Sequence, residues 1–205
     1  MKITVIGSTG RTGVHVLEQG IRRGHELTAF TRRPQLLENV TGLNNIVTGD
    51  ALHVSDIKKA IENQDVVIAI VGDRSTPVAT EITKSLIQAM QECSVHRLVC
   101  VSSYLLDSKR PRVITPFFQW LLRHSLADRL SADQLIISSK TDWTIVRATR
   151  LHDKPATGNV RIQKGEFESG PYEICRADLA SVLLDTVTNK AAINSIINAT
   201  WGRKK

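Results

Sequence analysis

Residues 5–16 read VIGSTGRTGVHV, an apolar run that breaks into Gly7, Gly10 and Gly13 and then resumes with apolar residues at helical spacing. Glycines this close and this evenly spaced suit a chain that leaves a strand, turns sharply and enters a helix at once. In that setting the first glycine lets the chain reverse, the second lets a phosphate approach the backbone, and the third lets the helix pack on its sheet. The alternative is a tight turn with close helix packing and no ligand. Helix N-terminal amides and the macrodipole favour an anion there. A pyrophosphate is therefore the expected guest of the loop Gly7, Ser8, Thr9, Gly10, Arg11, Thr12 and Gly13.

The rest of the first hundred residues repeats the same change of period. ITVIG (3–7), ELTAFT (26–31), NNIVTGD (44–50), DVVIAIVG (65–72) and HRLVCVSS (96–103) are short β-branched runs. Between them lie helical spacings: Val14, Leu17, Ile21; Ile57, Ala60, Ile61; and Ile82, Leu86, Ile87, Met90. Strand and helix in alternation predict a doubly wound α/β fold, a parallel sheet covered on both faces by helices, with strands apolar throughout. The second half is less regular. Residues 116–139 and 177–187 have helical character, DWTIV (142–146) and SIINAT (195–200) are strand-like, and 152–170 is polar with Pro155, Gly158, Gly165 and Gly170. We expect a single Rossmann-type domain over 1–205, with 151–175 forming a small irregular C-terminal lobe on the substrate side.

Composition narrows the function classes. The chain has 205 residues, 41% of them hydrophobic and 23% charged, enough for one sizeable core. No apolar run approaches a membrane span and Met1-Lys2 leads straight into a strand, so a cytoplasmic protein is expected. Cys93, Cys100 and Cys175 lack metal-ligand spacing and are expected as reduced thiols, with no metal site. The net charge of +7 raises nucleic-acid binding, but the basic residues are scattered. The clusters at 109–112 and 203–205 have no interleaved aromatics, so a small anionic ligand fits the excess better and no nucleic-acid partner is expected.

The end of the second strand separates cofactors. An Asp or Glu there holds a ribose 2′-hydroxyl, whereas an Arg accommodates a 2′-phosphate. This chain has Phe30-Thr31-Arg32-Arg33-Pro34, so Arg32 and Arg33, with Arg11 from the other side, point to NADP(H). The alternative is a pair of solvated loop charges. Asp50, beside Ala51 after the third strand, could accept from an adenine amino group or cap the next turn. Val71-Gly72 offers a second close backbone approach after the fourth.

With IGSTGRTG, the GD after the third strand, LVCVSSYLL, DWTIVR, LHDKPATG and ICRADLA, the chain resembles the atypical short-chain dehydrogenase/reductases of the NAD(P)-binding, NmrA-like kind. It is most similar to their biliverdin/flavin reductase subgroup. The resemblance implies NADPH in an extended crevice and hydride delivery to a flat acceptor. The wider superfamily's Tyr-x-x-x-Lys pair is missing, its positions falling at Ser125 and Arg129. Direct hydride transfer to a conjugated acceptor can dispense with that pair, because proximity supplies most of the rate and the proton can come from solvent.

By the subgroup's motif Ser103 lies near the nicotinamide as the catalytic candidate, with Ser102 adjacent at the cofactor; strand-end capping is the alternative for both. Arg147 opens Arg147-Ala148-Thr149 where the subgroup has Arg-Pro-Gly, and is expected beside the cofactor. Arg150 stands where the subgroup has a histidine, His152 follows two residues later, and both are expected at the substrate; for Arg150 a cofactor-phosphate or structural partner is the alternative. Tyr104, Phe117, Phe118 and Trp120 could form an aromatic wall for that substrate, or pack in the core.

Two functions follow. One is an NADPH-dependent reductase of a planar, anionic or quinone-like acceptor, such as a flavin, a quinone or a tetrapyrrole-like molecule. The other is an NADP(H)-binding sensor that acts on a partner without chemistry.

Overall fold

The computed structural model describes residues 1–71, 78–106, 108, 114–165 and 171–202. Gly72, expected at the cofactor, lies outside the described residues, as does the basic cluster at 109–112.

The apolar runs form the strands that their periodicity predicts. β1 (Lys2–Ile6), β2 (Glu26–Thr31), β3 (Asn45–Thr48), β4 (Val66–Ala69), β5 (Arg97–Ser103) and β6 (Asp142–Ala148) lie parallel in the order β3-β2-β1-β4-β5-β6. The order reverses between β1 and β4, which opens the ligand crevice at the carboxyl ends of these strands. β10 (Ser195–Trp201) adds to β6 in parallel, and β8 (Val160–Lys164) closes the eight-stranded sheet antiparallel to β10.

Helices cover both faces. On one, Val16 and Leu17 of α1 (Arg11–Arg22) and Leu179, Val182 and Leu183 of α6 (Arg176–Thr188) pack on Ile3, Val5, Leu27 and Val99. On the other, Ile57 and Ile61 of α2 (Val54–Ile61), Leu86 and Met90 of α3 (Ala79–Glu92), and Ile136 of α5 (Arg123–Ser138) meet Ile6, Val67, Leu98 and Ile145. Each fully buried Leu or Ile contributes about 1.5–3 kcal/mol, so the two layers hold the sheet without a disulfide. The three cysteines are free, and burial pushes the Cys100 thiol up to about 12.

Three expectations are corrected. β3 is an edge strand with Ile46 40% exposed, because only β2 flanks it in the sheet. The helical stretch at 116–139 is two helices, α4 (Ile114–Leu121) and α5, since Leu122 leaves helical dihedrals at ψ 14. The lobe is also less irregular than its prolines and glycines suggest. β8 joins the main sheet, while β7 (Arg150–His152) and β9 (Glu173–Cys175) pair in parallel as a small second sheet.

Candidate cofactor and substrate site

The glycine loop fills the turn between β1 and α1. Gly7 is left-handed at φ 84, and a Cβ there or on Gly13 would collide with main-chain oxygen, of Ile70 and of Gly7 respectively. These two glycines serve the turn and the helix packing. Gly10 differs, because a Cβ there would meet only the Gly7 carbonyl oxygen, at 3.2 Å. It is the N-cap of α1, it has no side-chain cap, and the first turn holds no acidic residue. The first amides of the helix are thus left to an external anion.

Side chains expected at the cofactor partly serve the loop itself. Buried Ser8 donates to the Phe30 carbonyl at 2.8 Å, and Thr9 meets the Thr31 hydroxyl at 3.2 Å. Thr12 is buried at 6% exposure. These contacts bind the loop to the end of β2, and so bring Arg32 and Arg33 beside it. Both arginines are exposed and neither makes an ion pair among the described residues. Asp50 Oδ1 accepts from the Leu52 amide at 3.0 Å, which is the turn-capping role; Ala51 follows half-buried. Arg11 donates to Asp153 at 3.0 Å, and Asp153 also receives Arg176 at 2.7 Å.

At the ends of β4 and β5, Arg129 of α5 donates to the carbonyls of Val71 and Val101, each at 2.9 Å. Half-buried Ser103 accepts from the Leu105 amide at 3.3 Å, a strand-end cap that leaves its hydroxyl hydrogen available to donate. Ser102 and Arg147 face the other way, both buried. Ser102 donates to Asp133 at 2.9 Å and Arg147 pairs with the same oxygen at 3.1 Å. Strand alternation turns them toward α5, so their side chains belong to a network under the sheet instead of the crevice. Burial pushes the Asp133 carboxyl up to about 6, against the hydrogen bond from Ser102 and the charge of Arg129.

Tyr104, directly after β5, faces Tyr172 of the lobe with ring centroids 6.4 Å apart and planes at 42°. Burial, then the neighbouring Tyr172, raises the Tyr104 phenol. The Arg150 amide donates to the Tyr172 carbonyl at 3.0 Å, while its side chain is exposed. His152 turns into the lobe: Nδ1 accepts from the Lys154 amide at 3.1 Å, and the ring stands edge-on to Trp201 at 4.4 Å. Phe117, Phe118 and Trp120 form neither a core nor a wall with Tyr104. They are 58%, 41% and 63% exposed on α4, whose Gln119 reaches back to the carbonyl of Leu105 at 2.8 Å.

Sequence reasoning missed the partners that assemble the lobe. LHDKPATG and ICRADLA are one device: Asp153 meets Arg176, and Asp178 accepts from the Thr157 and Gly158 amides at 3.0 Å and from the Trp201 indole at 2.7 Å. Asp178 in the first turn of α6 is visible as a helix-start signal, but nothing in the spacing tells which loop it holds. Tyr172 had no signal at all.

The uncapped helix start at the first strand, on a sheet that reverses at β1 and β4, defines a dinucleotide-binding Rossmann protein. More narrowly, the chain belongs to the NAD(P)H-binding family, whose profile matches residues 7–190. An uncharacterized chloroplastic protein of Arabidopsis thaliana is 29% identical over 96% of this chain and 75% of its own length. The chloroplastic divinyl chlorophyllide a 8-vinyl-reductase of the same plant is 24% identical over 96% of this chain, which spans 52% of that relative. Among solved structures, ChuY, an anaerobillin reductase from Escherichia coli O157:H7, superposes with a TM-score of 0.83 at 18% identity, covering 100% of this chain and 99% of its own. That likeness bears on the fold. Among the described residues no helix is long and apolar enough to cross a membrane, and no cluster of His, Cys, Asp and Glu could hold a metal ion.

Proposed function

We propose that this protein is an NADPH-dependent reductase that passes a hydride to a planar conjugated acceptor, a flavin, a quinone or a tetrapyrrole-like molecule, in the cytoplasm. The observation that carries the reading is the meeting of Tyr104 and Tyr172 beside Ser103, across the crevice mouth from the glycine loop's strand. Two tilted rings from separate segments, one at the end of β5 and one just before β9, suit a flat acceptor. The similar reductases whose names describe tetrapyrrole-related chemistry, the chlorophyllide reductase and the anaerobillin reductase, support the same class.

When bound, the nicotinamide supplies two electrons and one proton as hydride, and a second proton completes the reduced acceptor. The chain's residues bind and orient the reactants. The open face at Gly10 and the first amides of α1 receive the pyrophosphate; Arg32 and Arg33 receive the 2′-phosphate. The Ser103 hydroxyl donates to the acceptor or to the nicotinamide amide. Arg150 holds an anionic substituent of the acceptor, and water delivers the second proton.

A dinucleotide sensor is the second reading, favoured by one observation. Ser125 and Arg129 stand where the superfamily has Tyr and Lys, and the Arg129 guanidinium is engaged by two carbonyls, so these two positions supply no Tyr–Lys acid pair. Titration of the purified protein with NADPH, followed by NADPH oxidation assays with flavin, quinone and linear tetrapyrrole acceptors, separates the two. Acceptor-dependent oxidation supports the reductase; tight binding without oxidation across the panel supports the sensor.

A further inference from the structure

We infer that Asp153 is a positioning residue for dinucleotide binding: it holds Arg11 of the glycine loop at the phosphate crevice, from an anchor on Arg176. Three segments distant in sequence meet at this one carboxylate. Oδ1 receives Arg176 at 2.7 Å and Oδ2 receives Arg11 at 3.0 Å. The Arg176 side chain is 10% exposed, so the carboxylate is fixed from the protein side, whereas Arg11 remains 72% exposed while paired. Arg11 binds through a single guanidinium nitrogen, which leaves its other donors for a ligand.

Arg11 is the first residue of α1, where the helix dipole opposes a cation, and no acidic residue of that turn offsets it. Left alone, the side chain would leave the helix end for solvent. Asp153 counters that tendency from outside the helix. Two arginines against one carboxylate still leave a net positive charge facing the crevice, which suits a phosphate. The same contact ties the lobe that bears Arg150 and Tyr172 to the cofactor loop.

The inference rests on the dinucleotide reading and not on turnover, so it is tested by binding in the absence of any acceptor. The sign of the effect is diagnostic. Removing a negative charge near a bound phosphate would by itself tighten binding, whereas loss of positioning weakens it. NADPH is titrated against wild type, Asp153→Asn, Arg11→Gln and the double variant, with thermal unfolding recorded for each. Asp153→Asn is expected to weaken NADPH about three- to fivefold, the range for a partly exposed ion pair, and to have no effect in the Arg11→Gln background. Arg176→Gln, which keeps the carboxylate but removes its anchor, is expected to behave as Asp153→Asn does and serves if that variant loses its native unfolding transition. Unchanged or tighter binding by these variants would overturn the inference. So would weakening that persists undiminished without Arg11, since Asp153 would then act through the lobe alone. A wild type that binds NADPH but reduces nothing would count against the reductase and leave this result intact.

Discussion

Asp178 accepts both the backbone amide and the hydroxyl of Thr157 through one carboxylate oxygen, each at 3.0 Å. Its other oxygen takes the Gly158 amide, and the Trp201 indole adds a fourth donor. Burial pulls the carboxyl upward, but these hydrogen bonds outweigh it and hold the Asp178 pKa below the usual carboxylate range. A carboxylate depressed in the folded state contributes stability that is complete above about pH 3.9 and is lost as pH falls through the folded value. Asp178→Asn, with one acceptor oxygen for four donors, should cost about 2–3 kcal/mol. Thermal unfolding followed from neutral pH to about pH 3 should show a steeper acid loss in wild type than in the variant; parallel curves would mean that Asp178 is not the linked group.

Cofactor choice turns on the end of β2. With Arg32 and Arg33 exposed and without ion pairs among the described residues, a 2′-phosphate has two guanidiniums to meet and no competing carboxylate. NADPH should bind more tightly than NADH, and Arg32→Ala should remove about tenfold of that preference, a charge-assisted contact discounted for exposure. Equal affinities in the wild type would assign these arginines to solvent.

Gly10 can be tested without harming the fold. Its φ is −70, allowed for any residue, and an added Cβ would meet only the Gly7 oxygen. Gly10→Val should therefore abolish NADPH binding while the unfolding temperature stays within a few degrees, about 1 kcal/mol of stability. The same change at Gly7 or Gly13 should unfold the loop. Normal NADPH affinity in a folded Gly10→Val protein would place the pyrophosphate elsewhere.

The two candidate substrate contacts should fail differently. Ser103→Ala removes one donor but no indispensable acid, so kcat should fall about tenfold to a hundredfold without vanishing. Arg150→Ala should raise KM for anionic acceptors more than for neutral quinones, because its exposed guanidinium acts on charge. Loss of all turnover in Ser103→Ala with NADPH still bound would make Ser103 the proton donor.

The fold was legible because its signals are local and repeated. β1, β2, β4 and β5 are buried runs between helices whose apolar stripes face the sheet, and periodicity alone finds such elements. β8 was hidden by the glycines at 158 and 165, since an edge strand alternating Val160, Arg161, Ile162 and Gln163 has little apolar signal. The glycine loop was legible for a similar reason, as Gly7 and Gly13 answer backbone needs of the turn and the helix packing while Gly10 leaves the helix start open. Side-chain direction was not. Ser102 and Ser103 are neighbours in sequence, yet one turns under the sheet to Asp133 and the other toward the crevice mouth, and only the strand's actual phase decides which. Contacts that close between distant segments, Asp153 with Arg176 and Tyr104 with Tyr172, leave no periodic trace.

Direct hydride transfer to a planar acceptor is the central claim, and a primary deuterium isotope effect reads it most directly. NADPH carrying deuterium at either face of nicotinamide C4 would be oxidised under single-turnover conditions with each acceptor of the panel. The account predicts acceptor-dependent oxidation slowed by deuterium on one face and unaffected by the other, since the crevice presents one face only. Saturating NADPH binding with no oxidation by any acceptor, or oxidation equally indifferent to the label on both faces, would contradict it.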